Sequence, residues 1–255
     1  MPVTRDLLRV REILESEREW AAFALADLAS EHHPFTEWHV QDDRLLLVYR
    51  GYTPPLLFAM DNSGPLLEEI AAEPELFVAV RYPLVDPICA QGWELRERKK
   101  MHRLVLRGAI VGADHGEAVQ LGPEDCGHLL RLFADGDASG ERPAFFQPAA
   151  LTNGIYFGVR EGGELVAAGG TLVSASAESV ACIGNVYTRR DRRGRGLASA
   201  VAAAIASELR RRGVRTIVLN VRADNHAAIR VYERLGFSHC CDYWEARAVR
   251  GVSAI

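Results

Sequence analysis

The sequence has few of the features that mark membrane-embedded or secreted proteins. Its 255 residues contain no run of 18 or more apolar residues, so we expect no membrane span and no membrane partner. The first six residues, Met1–Asp6, lack the apolar stretch of a signal peptide. A soluble, cytoplasmic protein is the expectation that follows.

Cysteine is scarce, and its spacing is not that of a cross-linked or metal-binding protein. The chain has five cysteines, an odd number, and none of them forms a Cys-x-x-Cys pair. This pattern argues against a disulfide framework and against a zinc site. The eight histidines also lack metal-ligand spacing, so we expect no metal.

Lysine is almost missing, because Lys99 and Lys100 are the only two among 30 basic residues. Charge is also uneven along the chain. Residues 1–120 carry 13 basic and 20 acidic residues, whereas residues 121–255 carry 17 and 14. The mildly basic second half suits an anionic ligand, but it lacks the clustered charge of a nucleic-acid binder. We therefore expect no nucleic acid partner.

The first half contains a helical pattern followed by short strands. Apolar residues recur at helical spacing from Leu7 to Leu28, and Pro34 predicts the end of this helix, since the residue before a proline avoids the α conformation. Turn signals separate the later segments. The predicted strands are 36–40, 45–49, 56–60, 76–80 and 102–106, with a short helix over 66–72.

The second half alternates strands and helices more clearly, and a strand–helix–strand order requires a parallel crossover. The pattern therefore predicts an α/β fold for this half, with a boundary between the halves near Gly108–Gly122. The predicted helices are 123–134, 196–212 and 225–235, and the predicted strands are 155–160, 165–173, 180–188, 214–221 and a last one from Phe237.

A glycine-rich turn connects the strand 180–188 to the helix 196–212. Glycines allow successive backbone N–H groups to face one concavity, and a helix N-terminus adds its positive dipole end, so the turn predicts an anion site. It lacks the Lys-Ser/Thr ending of a P-loop and the third glycine of a dinucleotide fingerprint. The alternative is a plain turn and helix cap with solvated arginines.

Two segments of the second half resemble the GNAT acyltransferase superfamily. Arg193-Gly194-Arg195-Gly196-Leu197-Ala198 is similar to the family's Gln/Arg-x-x-Gly-x-Gly/Ala motif, and Leu219–Phe237 resembles its fifth strand and fourth helix. The resemblance covers roughly residues 118–250. It implies a mixed, mostly antiparallel sheet flanked by helices. It also suggests two GNAT-like halves, a degenerate one over 1–115 and a cofactor-binding one over 116–255.

The resemblance also implies a site for acetyl-CoA or another acyl-CoA. The backbone of Val186, Tyr187 and Thr188 would bind the pantetheine arm, and the Val186 N–H would polarise the thioester carbonyl. Asn225 would contact the cofactor, although an Asn before a helix also serves as its N-cap. The pyrophosphate would lie on the turn residues Arg193, Gly194, Arg195, Gly196, Leu197 and Ala198.

Tyr232 is the candidate general acid. It follows Asn225 by seven residues, about two helical turns, so both side chains lie on one side of the predicted helix. A phenol with a pKa of about 10 can donate a proton to a departing thiolate at neutral pH. The alternative is a core tyrosine that packs with Ile229 and Leu235.

No general base is predicted. The strands 180–188 and 216–221 contain no carboxylate, and Glu178 is the nearest one in sequence. A chain of water molecules ending on Asn185 or Tyr187 is an equal alternative.

These observations predict an N-acyltransferase that moves an acetyl or short acyl group from acyl-CoA to a primary amine of a small molecule or peptide. We expect it to act as a monomer or a homodimer. Two alternatives stay open: a non-catalytic acyl-CoA sensor or interaction module, and a mycothiol-synthase-like tandem acetyltransferase. Trp38, Phe58 and Trp93 in the first half, with Phe145-Phe146 in the second, either line an acceptor pocket or form core. Core is the simpler reading for single aromatics.

Overall fold

The computed structural model describes residues 3–111, 118–143 and 146–251. Part of the predicted boundary near Gly108–Gly122 therefore lies outside the described residues. The α-helices are α1 Leu7–Glu15, α2 Ala22–Ala26, α3 Val85–Ala90, α4 Cys126–Ala134, α5 Ala150–Asn153, α6 Leu197–Arg211 and α7 His226–Arg234. The strands are β1 Thr36–Gln41, β2 Arg44–Tyr49, β3 Leu56–Ala59, β4 Glu75–Val80, β5 Trp93–Leu106, β6 Val119–Gln120, β7 Tyr156–Glu161, β8 Glu164–Ala175, β9 Val180–Thr188, β10 Thr216–Arg222 and β11 Phe237–Arg250.

The chain folds into two compact units. The first contains the residues up to Arg103, the short segment Arg222–Asp224 and the chain from Cys240 onward. The second contains Leu104–Val221 and Asn225–His239. These units are defined by packing, whereas the predicted halves 1–115 and 116–255 rest on a resemblance, so the halves stay a prediction.

The first unit is built on the strand order β1-β2-β3-β4-β11-β5. The pairs β1/β2, β2/β3 and β4/β11 are antiparallel, and β3/β4 is parallel. The predicted hairpin is confirmed, with Asp42 of its turn at φ 57°. Its apolar core includes Leu46, Val48, Leu57, Leu67, Val78, Val80 and Trp93.

The single long N-terminal helix predicted from Leu7 to Leu28 is wrong. The structure has two helices, α1 and α2, with a turn over residues 16–21. At the break, the Ser16 hydroxyl donates to the Ile13 carbonyl at 2.7 Å, a local bond of the kind that competes with helix continuation. Trp20 within the turn is 2% exposed, so apolar spacing continues through the break and hides it.

The second unit carries the strand order β10-β9-β8-β7-β6. Strands β9 and β10 are parallel and are connected by α6, as the strand–helix–strand pattern predicts. The pairs β6/β7, β7/β8 and β8/β9 are antiparallel. The predicted fold class, a mixed and mostly antiparallel sheet with flanking helices, is confirmed.

Two apolar clusters pack within the second unit. One gathers residues of α6 and α7 with strand residues, including Val166, Ile183, Val201, Ile205, Ile217, Leu219, Tyr232 and Phe237. The other gathers α4 and α5 with Leu121, Tyr156, Leu165, Ala168 and Tyr187. Strand β9 contributes to both clusters, so its backbone is held from both sides. Across the described ranges, no helix is both long enough and apolar enough to cross a membrane.

Candidate functional site

The pairing between strands β9 and β10 stops before either strand ends. Their parallel pairing runs from Thr216↔Val180 to Leu219↔Ile183, yet β9 continues to Thr188 and β10 continues beyond Leu219. We call the opening along residues 184–188 of β9, beyond this pairing, the strand gap. Unpaired strand edges present N–H and C=O groups to an added extended chain, so the strand gap suits a ligand with an amide-bearing arm.

A β-bulge lies beside the strand gap. The pairing of β8 with β9 steps from Gly170↔Gly184 to Ala168↔Tyr187, so Asn185 and Val186 together oppose Gly169. Asn185 has φ 51°, in the left-handed region. A Cβ at Gly169 would lie 2.9 Å from Val186 Cγ2 and 3.1 Å from its Cα, so glycine is needed for this close approach. The bulge changes the direction of the backbone at Val186, the residue predicted to polarise a carbonyl.

The side-chain hydroxyl of Thr188, the last residue of β9, is in an unusual environment. Its Oγ1 is buried and has no hydrogen-bond partner among the described residues. Its carbonyl accepts a hydrogen bond from Arg193 Nε at 3.3 Å. A buried hydroxyl without a partner costs free energy unless a ligand or water satisfies it, so this atom fits a site that binds a polar molecule.

The glycine turn, residues 193–198, has the backbone of an anion site. Gly194 and Gly196 both have φ 79°, and a Cβ on either would meet nothing within 4 Å, so conformation rather than space requires glycine. Helix α6 starts at Leu197 with Gly196 as its N-cap, and no side chain caps its first turn in the part of the chain that the structure describes. The N–H groups of this turn are therefore available to an anion.

All five arginines of this region are paired with carboxylates rather than simply solvated. Arg193 donates to Glu141 at 2.9 Å and Arg195 lies 2.7 Å from Glu161. The contact with Arg193 lowers the pKa of Glu141. Glu161 also pairs with Arg192, and this second contact is the main cause of its lowered pKa. The remaining pairs are Arg189–Asp191, Arg190–Asp135, Arg192–Glu161 and Arg192–Asp191. An anionic ligand therefore competes with carboxylates for these arginines.

Tyr187 fixes the end of β9 to α4. Its hydroxyl donates to Asp135 at 2.8 Å, and the same Asp135 oxygen accepts from the Arg190 N–H at 3.0 Å. Burial, aided by Asp135, raises the pKa of Tyr187 to about 12. The guanidinium of Arg193 also lies over the Tyr187 ring at 5.7 Å. The side chain of Tyr187 therefore holds the strand, and its predicted cofactor contact would involve its backbone.

Asn225 is the N-cap of α7. Its Oδ1 accepts a hydrogen bond from the Ala228 N–H at 3.1 Å. Asn225 itself is exposed, so the capping bond leaves its remaining amide atoms accessible. The cap is observed, and the contact with a cofactor stays a prediction.

Tyr232 lies on α7 and is 9% exposed. Its ring packs edge-on against Phe237 at 6.1 Å, and Leu235 belongs to the same cluster. Burial raises the pKa of Tyr232 to about 12, with a smaller contribution from the thiol of Cys182 on β9. Tyr232 therefore lies beside β9 near Cys182, which is three residues before Asn185 of the bulge. Its hydroxyl is protonated at neutral pH. Its role as the acid stays a prediction.

Glu178 is at the wrong end of β9 to act as a base. It precedes the first residue of β9, whereas Val186 is eight residues further along the chain. At about 3.3 Å per residue, the two lie about 25 Å apart along the strand. Glu178 is also buried, at 8% exposure. The strand geometry therefore removes the nearest carboxylate in sequence from the list of bases.

Sequence reasoning missed the contact between Tyr156 and Asn185. The Asn185 Nδ2 donates to the Tyr156 hydroxyl at 2.9 Å, which links β7 to the bulge. A usable signal was the pair Gly169-Gly170 inside a predicted strand, since glycine within a strand often marks a bulge or a close approach.

The aromatic residues of the first half do not line a pocket. Trp38, Phe58 and Trp93 are 2%, 5% and 3% exposed and form core of the first unit. In the second unit, Phe146 packs edge-on against Phe133 and Tyr156. Its neighbour Phe145, also a candidate from the sequence, lies outside the described residues.

The parted strands, the bulge and the glycine turn occur inside a region that matches a known family. Residues 123–237 match the model of the acetyltransferase (GNAT) family. The chain carries a GNAT acetyltransferase domain. The resemblance stated from the glycine turn is therefore confirmed for this region.

A curated relative matches a short part of the chain. A mycothiol acetyltransferase from Corynebacterium aurimucosum is 39% identical over 71 residues, which is 25% of this chain. The match spans only 23% of that relative's length, so it does not transfer the relative's activity.

Solved structures match over most of the chain. A protein from Novosphingobium aromaticivorans assigned to the GNAT family has a TM-score of 0.62 at 22% identity and covers 81% of this chain and 89% of its own. A tandem GNAT protein from the clavulanic acid biosynthesis pathway has a TM-score of 0.58 at 14% identity and covers 99% and 98%. At these identities the likeness shows the fold alone, and it extends to the first half of the chain.

Proposed function

We propose that this protein transfers an acetyl or short acyl group from acyl-CoA to a primary amine of a small molecule or peptide. The observation that carries the proposal is the bulge at Asn185 and Val186, which lies on β9 beyond its pairing with β10 and seven residues before the glycine turn starts at Arg193. A bulge and a phosphate-type turn on one strand supply a carbonyl-polarising N–H and an anion site a few residues apart.

The residues present fit an acyl-CoA. The strand segment 186–188 would hold an extended amide-bearing arm, and the N–H groups of the glycine turn would hold the pyrophosphate. The buried, unpartnered Thr188 hydroxyl is consistent with a polar ligand there. When bound, acyl-CoA supplies the acyl group as an activated thioester. Asn225 at the start of α7 would be a further contact.

Two features of this chain would serve the transfer. The Val186 N–H would donate to the carbonyl oxygen on which negative charge develops. Tyr232, whose phenol is neutral at pH 7, would donate a proton to the departing thiolate. Strands β9 and β10 carry no carboxylate, so no base is proposed on these strands, and the amine would lose its proton to water.

Binding and turnover can be measured separately. We expect acetyl-CoA to raise the melting temperature of the protein, and thiol release from acetyl-CoA to accelerate with at least one member of a panel of primary amines. Stabilisation by acetyl-CoA without turnover on any amine would instead favour the non-catalytic sensor. No stabilisation by acetyl-CoA or by free CoA would contradict the proposed site.

A second candidate acceptor is the amine precursor of mycothiol. It is favoured by the local identity with the mycothiol acetyltransferase and by the tandem GNAT likeness over the whole chain. The same thiol-release measurement with the unacetylated precursor of mycothiol tests it. A kcat/KM no higher than that for simple alkylamines would exclude this acceptor.

A further inference from the structure

Asn185 has an unfavourable backbone conformation at the centre of the site. Its φ of 51° lies in the left-handed region, which costs L-residues other than glycine free energy, although Asn tolerates it better than most. The residue is part of the bulge that opposes Gly169. Something must therefore hold this conformation against relaxation to regular strand geometry.

The hydrogen bond to Tyr156 is suited to that task. Asn185 Nδ2 donates to the Tyr156 hydroxyl at 2.9 Å. Tyr156 belongs to β7, which is separated from β9 by β8, so the bond ties the bulge to a strand two positions away. The bond thus fixes the Asn185 side chain without adding to the ladder between β8 and β9.

The ring of Tyr156 has little freedom to move. It is 1% exposed, and Gly170 of β8 lies so close that a Cβ there would be 2.4 Å from two ring carbons. Phe146 packs edge-on against the other part of the ring at 5.7 Å. The hydroxyl therefore has one position, and Asn185 must adapt to it.

We propose that Tyr156 is a positioning residue that acts through Asn185. By holding Asn185 in its left-handed conformation, Tyr156 sets the direction of the neighbouring Val186 N–H into the strand gap. The kinetic consequence rests on the proposed transferase function, because a misdirected N–H stabilises developing charge poorly. Errors of about 1 Å in such a group can cost up to about 100-fold in rate.

A substitution cycle at the two positions tests this role. Tyr156→Phe keeps the ring and removes the acceptor, so kcat should fall about tenfold, with the KM for acetyl-CoA changing less than about twofold. Asn185→Gly should keep most of the activity, because glycine adopts φ 51° without strain. Asn185→Ala, which has neither the amide nor the freedom of glycine, should be the least active single variant.

The decisive comparison is Tyr156→Phe in the Asn185→Gly background. There the tyrosine has no Asn185 to hold, so the further loss in kcat should be less than about twofold. An equal tenfold loss in both backgrounds would overturn the proposal, because Tyr156 would then act independently of Asn185. No loss in the wild-type background would also overturn it.

Backbone hydrogen exchange provides a readout independent of turnover. In the free protein, Tyr156→Phe should speed amide exchange over residues 184–188 about fivefold, the effect of losing one net hydrogen bond. Tyr243→Phe is the matched control, because Tyr243 is also 1% exposed and its hydroxyl donates to Glu245 at 2.9 Å in the first unit. If the wild type lacks turnover, exchange alone decides: unchanged exchange in Tyr156→Phe overturns the positioning role, and faster exchange upholds it.

Discussion

Tyr232 has an observed packing role and a proposed chemical one. Its ring belongs to the apolar cluster of α6 and α7, and the same burial raises the pKa of its hydroxyl to about 12. The neutral phenol is the form that donates a proton, but a pKa of about 12 also makes Tyr232 a weaker acid than an ordinary tyrosine. Only a substitution that preserves the ring separates the two roles.

Tyr232→Phe is that substitution. Packing is kept, so the melting temperature and the affinity for acetyl-CoA should change little, while kcat should fall about 100-fold through loss of the proton donor. Steady-state kinetics together with acetyl-CoA titration checks this. Wild-type kcat in the variant would show that Tyr232 only packs.

The raised pKa of Tyr232 also predicts the pH profile. Because β9 and β10 carry no carboxylate, kcat/KM should rise with pH as the amine substrate loses its proton, without an enzyme carboxylate in the profile. No alkaline decline should appear up to about pH 10, because a tyrosine with a pKa of about 12 is still protonated there. An alkaline decline with a midpoint near pH 8 to 9 would identify a different acid.

The same shift has a consequence for stability. The folded pKa of Tyr232 lies above the unfolded value of about 10, so the neutral form is favoured in the fold. Its contribution to the free energy of unfolding is fully present below about pH 10 and is lost as the pH rises toward about 12.

At the scale of the element, α6 offers a test with its own control. Gly196 before the helix and Gly213 after it both have φ 79°, with open space around a Cβ at either position. Alanine at each should lower the free energy of unfolding by a similar amount, about 1 kcal/mol. Only Gly196→Ala should also weaken acetyl-CoA binding, by about tenfold, because it distorts the amides of the glycine turn.

Chemical denaturation and calorimetric titration of both variants measure the two effects. Equal loss of affinity in Gly196→Ala and Gly213→Ala would mean that the glycine turn has no special relation to the ligand.

The carboxylates around the turn give a further prediction. Glu161 contacts both Arg192 and Arg195, and Arg192 also pairs with Asp191. Glu161→Gln should therefore release mainly Arg195 for an anionic ligand and tighten CoA binding a few-fold at low salt. Glu208→Gln is the control, because Glu208 pairs with Arg211 and Arg212 at the far end of α6. Weaker CoA binding in Glu161→Gln would show that the carboxylate holds the arginines in place.

Element positions in the second unit were predictable because its strands are bounded by glycine and charge. The prediction for β9, 180–188, and that for α6, 196–212, agree with the structure to within one residue. The break between α1 and α2 was not predictable, since apolar spacing continues through Ser16–Ala21. Helix α3 was missed because Pro87 lies within it.

The glycine pair Gly169-Gly170 signals a bulge, but the register of the bulge could not be read from the sequence. Which residue of β8 faces Asn185 depends on the register between two strands, and that register is set by packing of Tyr156 over Gly170 and of Val186 over Gly169. The glycine turn was visible because its conformation requires particular residue types locally. Glu178 shows the limit of sequence proximity. It is only eight residues from Val186, but an extended strand of that length places the two about 25 Å apart.

At the scale of the molecule, the first unit depends on the end of the chain. Strand β11 pairs with β4 from Trp244↔Val80 to Val249↔Glu75. Its residues Ala246 and Ala248 belong to the apolar core of that unit. The N-terminal residues therefore do not contain all of the strands of the unit that they form.

A fragment of residues 1–115, the predicted N-terminal half, should fail to fold on its own. Without β11, one edge of β4 and the core around Val78 and Val80 are exposed. Circular dichroism during heating should show no cooperative transition for the fragment, whereas residues 1–251 should show one. A cooperative transition in the fragment would show that β11 is dispensable.

The contribution of β11 also affects the order of events during synthesis. Arg103, the last residue of the main N-terminal segment, leaves the ribosome well before Arg250, and at about 5–20 residues per second the delay is on the order of ten seconds. During that interval β4 has no partner on one side. The nascent chain is then open to association through that strand, and chaperone binding to ribosome-bound chains should concentrate on Glu75–Val80.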